Sequence, residues 1–591
     1  MCGLFGYANT HLKLLDPALV DKCRNALNTL YHRGPDDMGE VVRDNVYHGH
    51  RRLAIMDLSP SGRQPMQTPD EDVYISVNGE IYNHIDLRTA LGAQKFQSHS
   101  DSEVVLHGYH AWGVENLAQK LEGMYAIVIH DTREQKIFLI RDRVGVKPMH
   151  YYHKNGTFCW ASELKAIAQM MAGSLEEDLT ALYDYLTYRY IPSPKTFYKK
   201  VKKLEPAHIL SFDLNNGDIK TQRYWSLECR ETRDTDDKIR DTLIEKLRQS
   251  IDSQLMSDVP LGFFLSGGMD SSILVSLAAE QRKDQALNSF SIGYDVDTHD
   301  ETRYAKIVAD KFQTNHFEKK LNPGDGQGLE SLMADWFDEP FADTSALSTY
   351  HVSKFAREHV TVALSGDGGD ELFGGYRWYN RYPAFRLAQS PFRWMGRRGL
   401  RLGSAARSKG WIKKVMSRLD LISHNQPLEL YAALLGGVIG PKKRRYRKLL
   451  GIESGYDEMW HFRRYWYPDL GPKKSLQYLD FHTFLPDDIL TKVDRVSMAV
   501  SLEARVPFLD TSVIEYAFSL PEDFIYKGGR LKGGLKHNFQ DHLPAEILSR
   551  GKKGFSLPIH KWYADDLSNF GTIEEVLLRH YVPDLVKEAC G

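Results

Sequence analysis

The chain has 591 residues, 42% hydrophobic and 26% charged, with 76 Lys plus Arg against 78 Asp plus Glu. Those proportions exclude a disordered or collagen-like chain, and the length suits two to four domains of ordinary size, each able to bury a core without staples. A formal net charge of −2 argues against wholesale electrostatic binding to nucleic acid.

The N-terminus, Met1-Cys2-Gly3-Leu4-Phe5-Gly6, has no basic segment ahead of an apolar stretch, so it is not a secretory signal. Cys at position 2 excludes N-myristoylation, and Cys590 is too near the end for prenylation. Up to about residue 210 the chain is rich in short strand-like runs. Examples are 73–77, 125–129 and 136–140, each β-branched or aromatic and bounded by turn residues. They predict an α+β domain over 2–212. The polar stretch 213–238 reads as a linker.

From 239 to 591 the pattern alternates. A helix is predicted over 238–256, a strand over 261–265, then a Gly-rich turn and a helix. A strand at 289–292, a helix at 302–312 and a strand at 360–364 follow. Alternation of this kind predicts a parallel α/β sheet. A mostly helical, basic region is expected over about 377–480. The five cysteines are scattered, with no disulfide or zinc spacing, and no apolar run nears the ~20 residues of a membrane span. A reducing, cytoplasmic location is the expectation.

Two constellations carry chemistry. If Met1 is removed, Cys2 presents a thiol beside its own α-amine, whose reference pKa is near ~8, so one residue supplies nucleophile and base. Alone, a Cys after Met is chance. It is accompanied by Tyr31-His32-Arg33-Gly34-Pro35-Asp36, His50-Arg51-Arg52-Leu53, Val77-Asn78-Gly79-Glu80-Ile81-Tyr82-Asn83 and Ser100-Asp101-Ser102-Glu103. This half resembles the glutaminase domain of class II, N-terminal nucleophile glutamine amidotransferases. The resemblance implies that Cys2 forms a thioester with glutamine and releases ammonia. It places Asn78 and Gly79 at the oxyanion, Arg52 at the glutamine carboxylate, and Glu80 and Asp101 at its α-ammonium. The His-x-Arg-Leu match selects Arg52 and leaves Arg51 as a surface cation.

The second constellation is an apolar strand running into Leu265-Ser266-Gly267-Gly268-Met269-Asp270-Ser271-Ser272. Adjacent glycines, three hydroxyls and a helix N-terminus suit an anion, and Asp270 beside phosphate calls for a divalent cation. The loop resembles the pyrophosphate loop of N-type ATP pyrophosphatases, and it lacks the Walker pattern. By that resemblance Ser365 and Gly366 lie near the nucleotide, Asp370 joins Asp270 on Mg²⁺, and Leu265 and Ile292 offer backbone groups to adenine. Lys552, selected over Lys553 by a Lys-x-x-Phe spacing, neutralises charge on the phosphates. Asp494, Arg495, Glu503 and Arg505 read as buried ion pairs that position helices beneath the site.

Over nearly its whole length the chain resembles the glutamine-hydrolysing asparagine synthetases. The resemblance implies an αββα N-terminal nucleophile sandwich followed by an adenine-nucleotide α-hydrolase-like parallel-sheet domain. It implies ATP as co-substrate, Mg²⁺, an internal ammonia tunnel, and a homodimer. The favoured reaction converts L-aspartate to L-asparagine, with AMP, pyrophosphate and glutamate as the other products. Two departures keep another acceptor open, such as a uronic-acid sugar, an envelope precursor or a secondary metabolite. Stretch 341–348 has no arginine, and Asp367, a candidate acid/base, stands where many members have Glu. Cations between 393 and 448 read mainly as solvated helix faces, with a platform for an anionic acceptor as the alternative. A cyclase of the β-lactam synthetase type is the competing class, opposed by the complete glutaminase set.

Overall fold

A computed structural model describes residues 1–92, 95–282, 285–294, 301–322, 325, 328–381, 427–438, 440–551 and 572–590. The first domain stacks two antiparallel six-stranded sheets. Its strands are β1 (Gly3–Asn9), β2 (Asp37–Arg43), β3 (Val46–Arg52), β4 (Met66–Gln67), β5 (Val73–Ile81) and β6 (Gly123–Asp131). They continue with β7 (Lys136–Arg141), β8 (His150–Lys154), β9 (Thr157–Ala161), β10 (Val201–Lys203), β11 (His208–Asp213) and β12 (Ile219–Arg223). One sheet runs β10-β8-β9-β1-β3-β2 and the other β12-β11-β7-β6-β5-β4.

Alternation along β6 shows why the runs are apolar throughout. Ala126 and Val128 pack between the sheets with Leu4 and Trp160. Tyr125, Ile127 and Ile129 face the other way, onto Val104, Val105 and Leu117 of helix Glu103–Lys120. Both faces are covered, so no polar alternation is needed. Helices Pro17–Asn28 and Leu164–Met170 pack with the first sheet through Cys23, Ala26, Leu27, Ile167 and Met170. The result is the expected αββα sandwich.

The predicted linker holds a strand. β12 pairs antiparallel with β11 around the Asn215-Asn216-Gly217 turn, where Gly217 has φ +79°. Its residues are mostly exposed, because it is an edge strand with little apolar signal. The first domain's sheet therefore extends to Arg223 and not to 212.

The second domain is built on a five-stranded parallel sheet in the order β15-β14-β13-β16-β17. These are β13 (Leu261–Phe264), β14 (Asn288–Tyr294), β15 (Asn315–Leu321), β16 (Val362–Leu364) and β17 (Glu503–Arg505). From β13 the chain builds outward through β14 and β15, then returns to place β16 on β13's other edge. That reversal opens a crevice at the C-terminal ends of β13 and β16, where parallel sheets bind ligands. Both Gly-rich loops start there. The later chain includes helices Pro427–Leu435, Gly440–Leu449, Trp460–Arg464 and Pro472–His482. In Gly440–Leu449, Lys442 pairs with Glu575 and Lys443 with Glu458 (3.2 Å), so these cations are engaged within the fold. The cations of 393–414 lie outside the described residues. No helix among the described residues is long and apolar enough to cross a membrane.

Candidate active site

Strand β1 places Cys2 at the start of the first sheet, beside β5. The Cys2 N–H donates to Asn78 Oδ1 at 2.8 Å. Asn78 Nδ2 is buried with no protein acceptor among the described residues. Burial pushes the Cys2 thiol up, against the chain-terminal ammonium, the Leu53 N–H and the Arg52 guanidinium, which pull it down. Gly79 has φ +150°, and a Cβ there would lie 1.9 Å from the Met124 carbonyl oxygen. Only glycine fits that close contact.

Arg52 is held by its own loop. Nη1 donates to the Ser59 carbonyl at 3.1 Å, and Nη2 donates to the Met56 carbonyl at 3.3 Å and to that of Asp57. Gly62 makes room, since a Cβ there would be 2.1 Å from Arg52 Nη2. Glu80 and Asp101 are both buried. Burial raises both carboxyls above their ordinary range, against the opposing pull of the Arg505 guanidinium. Asp101 accepts the Ile81 N–H at 2.6 Å.

The four charged residues read as one structural set divide between two jobs. Glu503 and Arg505 pair with each other at 2.7 Å. Asp494 and Arg495 do not pair with each other and cross to the first domain. Arg33 donates to both Asp494 oxygens, at 2.9 and 3.1 Å, to Glu163 at 2.8 Å, and from Nε to the Cys2 carbonyl at 3.1 Å. Arg495 lies 3.4 Å from Glu163 and also pairs with Asp338. Lys147 approaches Asp494 at 4.0 Å. Sequence reasoning singled out Tyr31 to Asp36 without giving Arg33 this role, because its partner is 461 residues away.

Strand β17 contacts both the first domain and the loop that follows β16. Glu503 accepts the Met1 ammonium at 2.9 Å, and Arg505 Nη2 lies 3.6 Å from Glu80. The Arg505 carbonyl accepts the Ser365 N–H at 2.8 Å.

In the crevice, Leu265 and Ile292 are buried on adjacent strands, and the Leu265 N–H donates to the Phe290 carbonyl at 2.9 Å. Gly267 has φ +65° and sits against Tyr304 and Ala305, where a Cβ would clash at 2.4 Å. Ser266 Oγ accepts the Gly268 N–H at 3.3 Å, while Ser271 and Ser272 donate back to the Gly268 carbonyl at 3.3 and 2.7 Å. The three hydroxyls thus line the start of helix Met269–Gln281. From the second loop, Ser365 Oγ donates to Asp367 at 2.5 Å. A Cβ on Gly366 would be 2.9 Å from Asp270 Cβ, so the loops interlock.

Two cations were not anticipated. Arg550 Nη1 donates to the carbonyls of Ser266 and Gly267, at 3.2 and 2.7 Å, and its guanidinium covers the Tyr304 ring at 4.3 Å. Lys532 places its ammonium between Asp270 and Asp370. Arg550 heads the stretch that carries Lys552 without being given a role there, and no motif or spacing marks Lys532. Lys552 lies outside the described residues.

Residues 242–575 match the asparagine synthase family and residues 1–225 match a glutamine amidotransferase domain. The chain belongs to the asparagine synthase family. It is 33% identical to asparagine synthetase [glutamine-hydrolyzing] 1 of Bacillus subtilis, over all of this chain (100%) and 93% of that protein. A putative asparagine synthetase 2 of Methanocaldococcus jannaschii is 34% identical, over 86% of this chain and 100% of that one. A relative named amidase chyE, from Penicillium rubens, is 25% identical over 95% of this chain and 89% of its own length.

Proposed function

We propose that this chain is an ATP-dependent, glutamine-hydrolysing amide ligase. The observation that carries the reading is Arg505 of β17, whose Nη2 lies 3.6 Å from Glu80 near Cys2 and whose carbonyl accepts the Ser365 N–H in the Gly-rich crevice.

Removal of Met1 exposes the Cys2 α-amine beside Asn78 Oδ1. With a reference pKa near ~8, that amine takes the thiol proton at neutral pH. The thiolate attacks the glutamine amide carbon, and the Cys2 α-ammonium returns the proton to the nitrogen as the C–N bond breaks. Ammonia departs, leaving a thioester that water hydrolyses to glutamate and the free thiol. Asn78 Nδ2, aimed with no protein acceptor, and the Gly79 N–H stabilise the oxyanion. Arg52 takes the glutamine carboxylate. Glu80 and Asp101, both raised by burial, take its α-ammonium.

In the crevice the Ser266–Ser272 loop, Ser365 and Gly366 cradle ATP, with Leu265 and Ile292 flanking adenine and Lys552 on the phosphates. Asp270 and Asp370 already share one cation, the Lys532 ammonium, and two hard carboxylates suit Mg²⁺. Bound there, Mg²⁺ supplies charge neutralisation for the phosphates. An acceptor carboxylate attacks the α-phosphate and expels pyrophosphate. Ammonia then displaces AMP, with Asp367 placed to receive the proton.

L-Aspartate is the first acceptor to test. A different carboxylate is the second reading, favoured by the 341–348 segment. Two cations lie beside it: Lys492, engaged with Asp343 and Ser345 at 2.9 Å each, and Arg189, whose Nη2 donates to the Ala342 carbonyl at 2.6 Å. The deciding experiment measures glutamine-dependent AMP and pyrophosphate release with and without L-aspartate, while quantifying asparagine. Stoichiometric asparagine supports aspartate. Glutaminase activity without aspartate-dependent AMP points to the other acceptors.

A further inference from the structure

Lys532 stands where the proposed metal belongs. Its ammonium bridges Asp370 Oδ1 at 2.6 Å and Asp270 Oδ2. Its side chain is only 7% exposed, against 15% and 14% for the two carboxylates. The position is built. Lys532 itself adopts a left-handed backbone (φ 52°) at the start of helix Gly533–Asn538. Its carbonyl accepts the Lys536 N–H at 2.9 Å. A Cβ on Gly375 would fall 1.7 Å from Asp370 Oδ1 and 2.5 Å from Lys532 Cε, so that glycine gives the contact its space. A Cβ on Gly369 would fall 2.6 Å from Asp270 Oδ1. Three segments, far apart in sequence, converge on one ammonium.

We infer that Lys532 is a resident counter-cation that keeps divalent metal out of the Asp270–Asp370 pair until nucleotide arrives. The inference rests on the metal assignment proposed above. A monovalent ammonium neutralises half the charge of the two carboxylates. It also takes up an oxygen of each, so a metal entering alone must displace a buried, paired cation. Nucleotide phosphates bring new negative charge to the crevice and lower the cost of that exchange. Metal and nucleotide therefore bind together, and the empty crevice does not accumulate metal. The phosphates' charge, and not the carboxylates alone, sets affinity.

Mn²⁺ serves as the probe, read by electron paramagnetic resonance as loss of the free-ion signal upon titration of the full chain. Wild-type protein without nucleotide is expected to bind Mn²⁺ at least ten-fold more weakly than Lys532→Met. Lys532→Arg, which keeps the charge, is expected to behave as wild type. Adding Asp370→Asn to Lys532→Met removes the gained binding. A non-hydrolysable ATP analogue is expected to tighten Mn²⁺ binding to wild type. If Lys532→Met misfolds, the Lys532→Gln variant, followed by Mn²⁺-dependent thermal shift, gives the same comparison. Should wild type bind Mn²⁺ with the analogue while neutral variants gain nothing without it, the counter-cation inference falls and the metal site stands. No Mn²⁺ binding by any form, with or without the analogue, overturns both.

Discussion

Arg33 and Asp494 form a two-pronged ion pair across the two domains, with N–O distances of 2.9 and 3.1 Å and both side chains almost fully buried. The same guanidinium holds the Cys2 carbonyl, so the backbone at Cys2 and the helix Thr491–Met498 share one anchor. A lysine cannot reproduce that fork.

Arg33→Met should therefore leave Asp494 without its main partner, while Glu163 keeps His32, Lys165 and Arg495. Breaking a buried pair typically costs about 3–5 kcal/mol. The expected outcome is a lower thermal midpoint and a glutamate-to-amide ratio above one, because the halves no longer hold each other in register. Calorimetry and product stoichiometry check it. An unchanged ratio would show that Arg33 only stabilises.

Gly79→Ala places a Cβ 1.9 Å from the Met124 carbonyl oxygen. Glutamine-dependent amide formation should fall by at least the ~100–1000-fold typical of a lost oxyanion donor. Activity with added ammonium chloride should persist, since the crevice is untouched. Loss of both activities would indicate misfolding, which circular dichroism would detect.

Gly62→Ala tests Arg52 without altering it. The new methyl group displaces the guanidinium from the Ser59 and Asp57 carbonyls. KM for glutamine should rise roughly ten-fold or more, the scale of a lost charge-assisted hydrogen bond. Steady-state kinetics with ammonia as donor should be unaffected. An unchanged KM would remove Arg52 from the glutamine carboxylate.

Glu371 sets a pH dependence. Burial, with Asp370 beside it, lifts this carboxyl to about 8. In the unfolded chain it titrates near ~4.3. Between those values the folded state holds a proton that the unfolded state has lost, so stability declines as pH rises, by up to about 1.4 kcal/mol per unit. Below the window the contribution is fully present, and above about 8 the decline ends. Glu371→Gln should flatten the part of the urea-unfolding profile that lies between these pH values. A variant with the wild-type slope would assign the dependence to Asp480, which burial lifts to about 7.

Much of the fold was legible because its signals are local. Apolar runs in β5, β6 and β7 and the alternation from helix Asp236–Gln254 to β14 declare themselves within a few residues. β12, β15 and β17 did not. β12 and β15 are polar edge strands, and β17 is only Glu-Ala-Arg, a strand by virtue of its pairing with β16. Its propensity says nothing, since tertiary context makes it a strand.

The sequence by itself determined which residues could serve as nucleophile, oxyanion donors and phosphate loop, because those roles depend on residue type and on spacing within one turn or loop. It also marked Asp270 as needing a cation. Only the tertiary structure decided which cation answers. Lys532 lies 262 residues from Asp270, and nothing along the chain links them. The same holds for Arg33 with Asp494 and for Arg505 with Glu80. Pairing a buried charge is a condition on neighbours in space, so its solution is written only where the chain has folded.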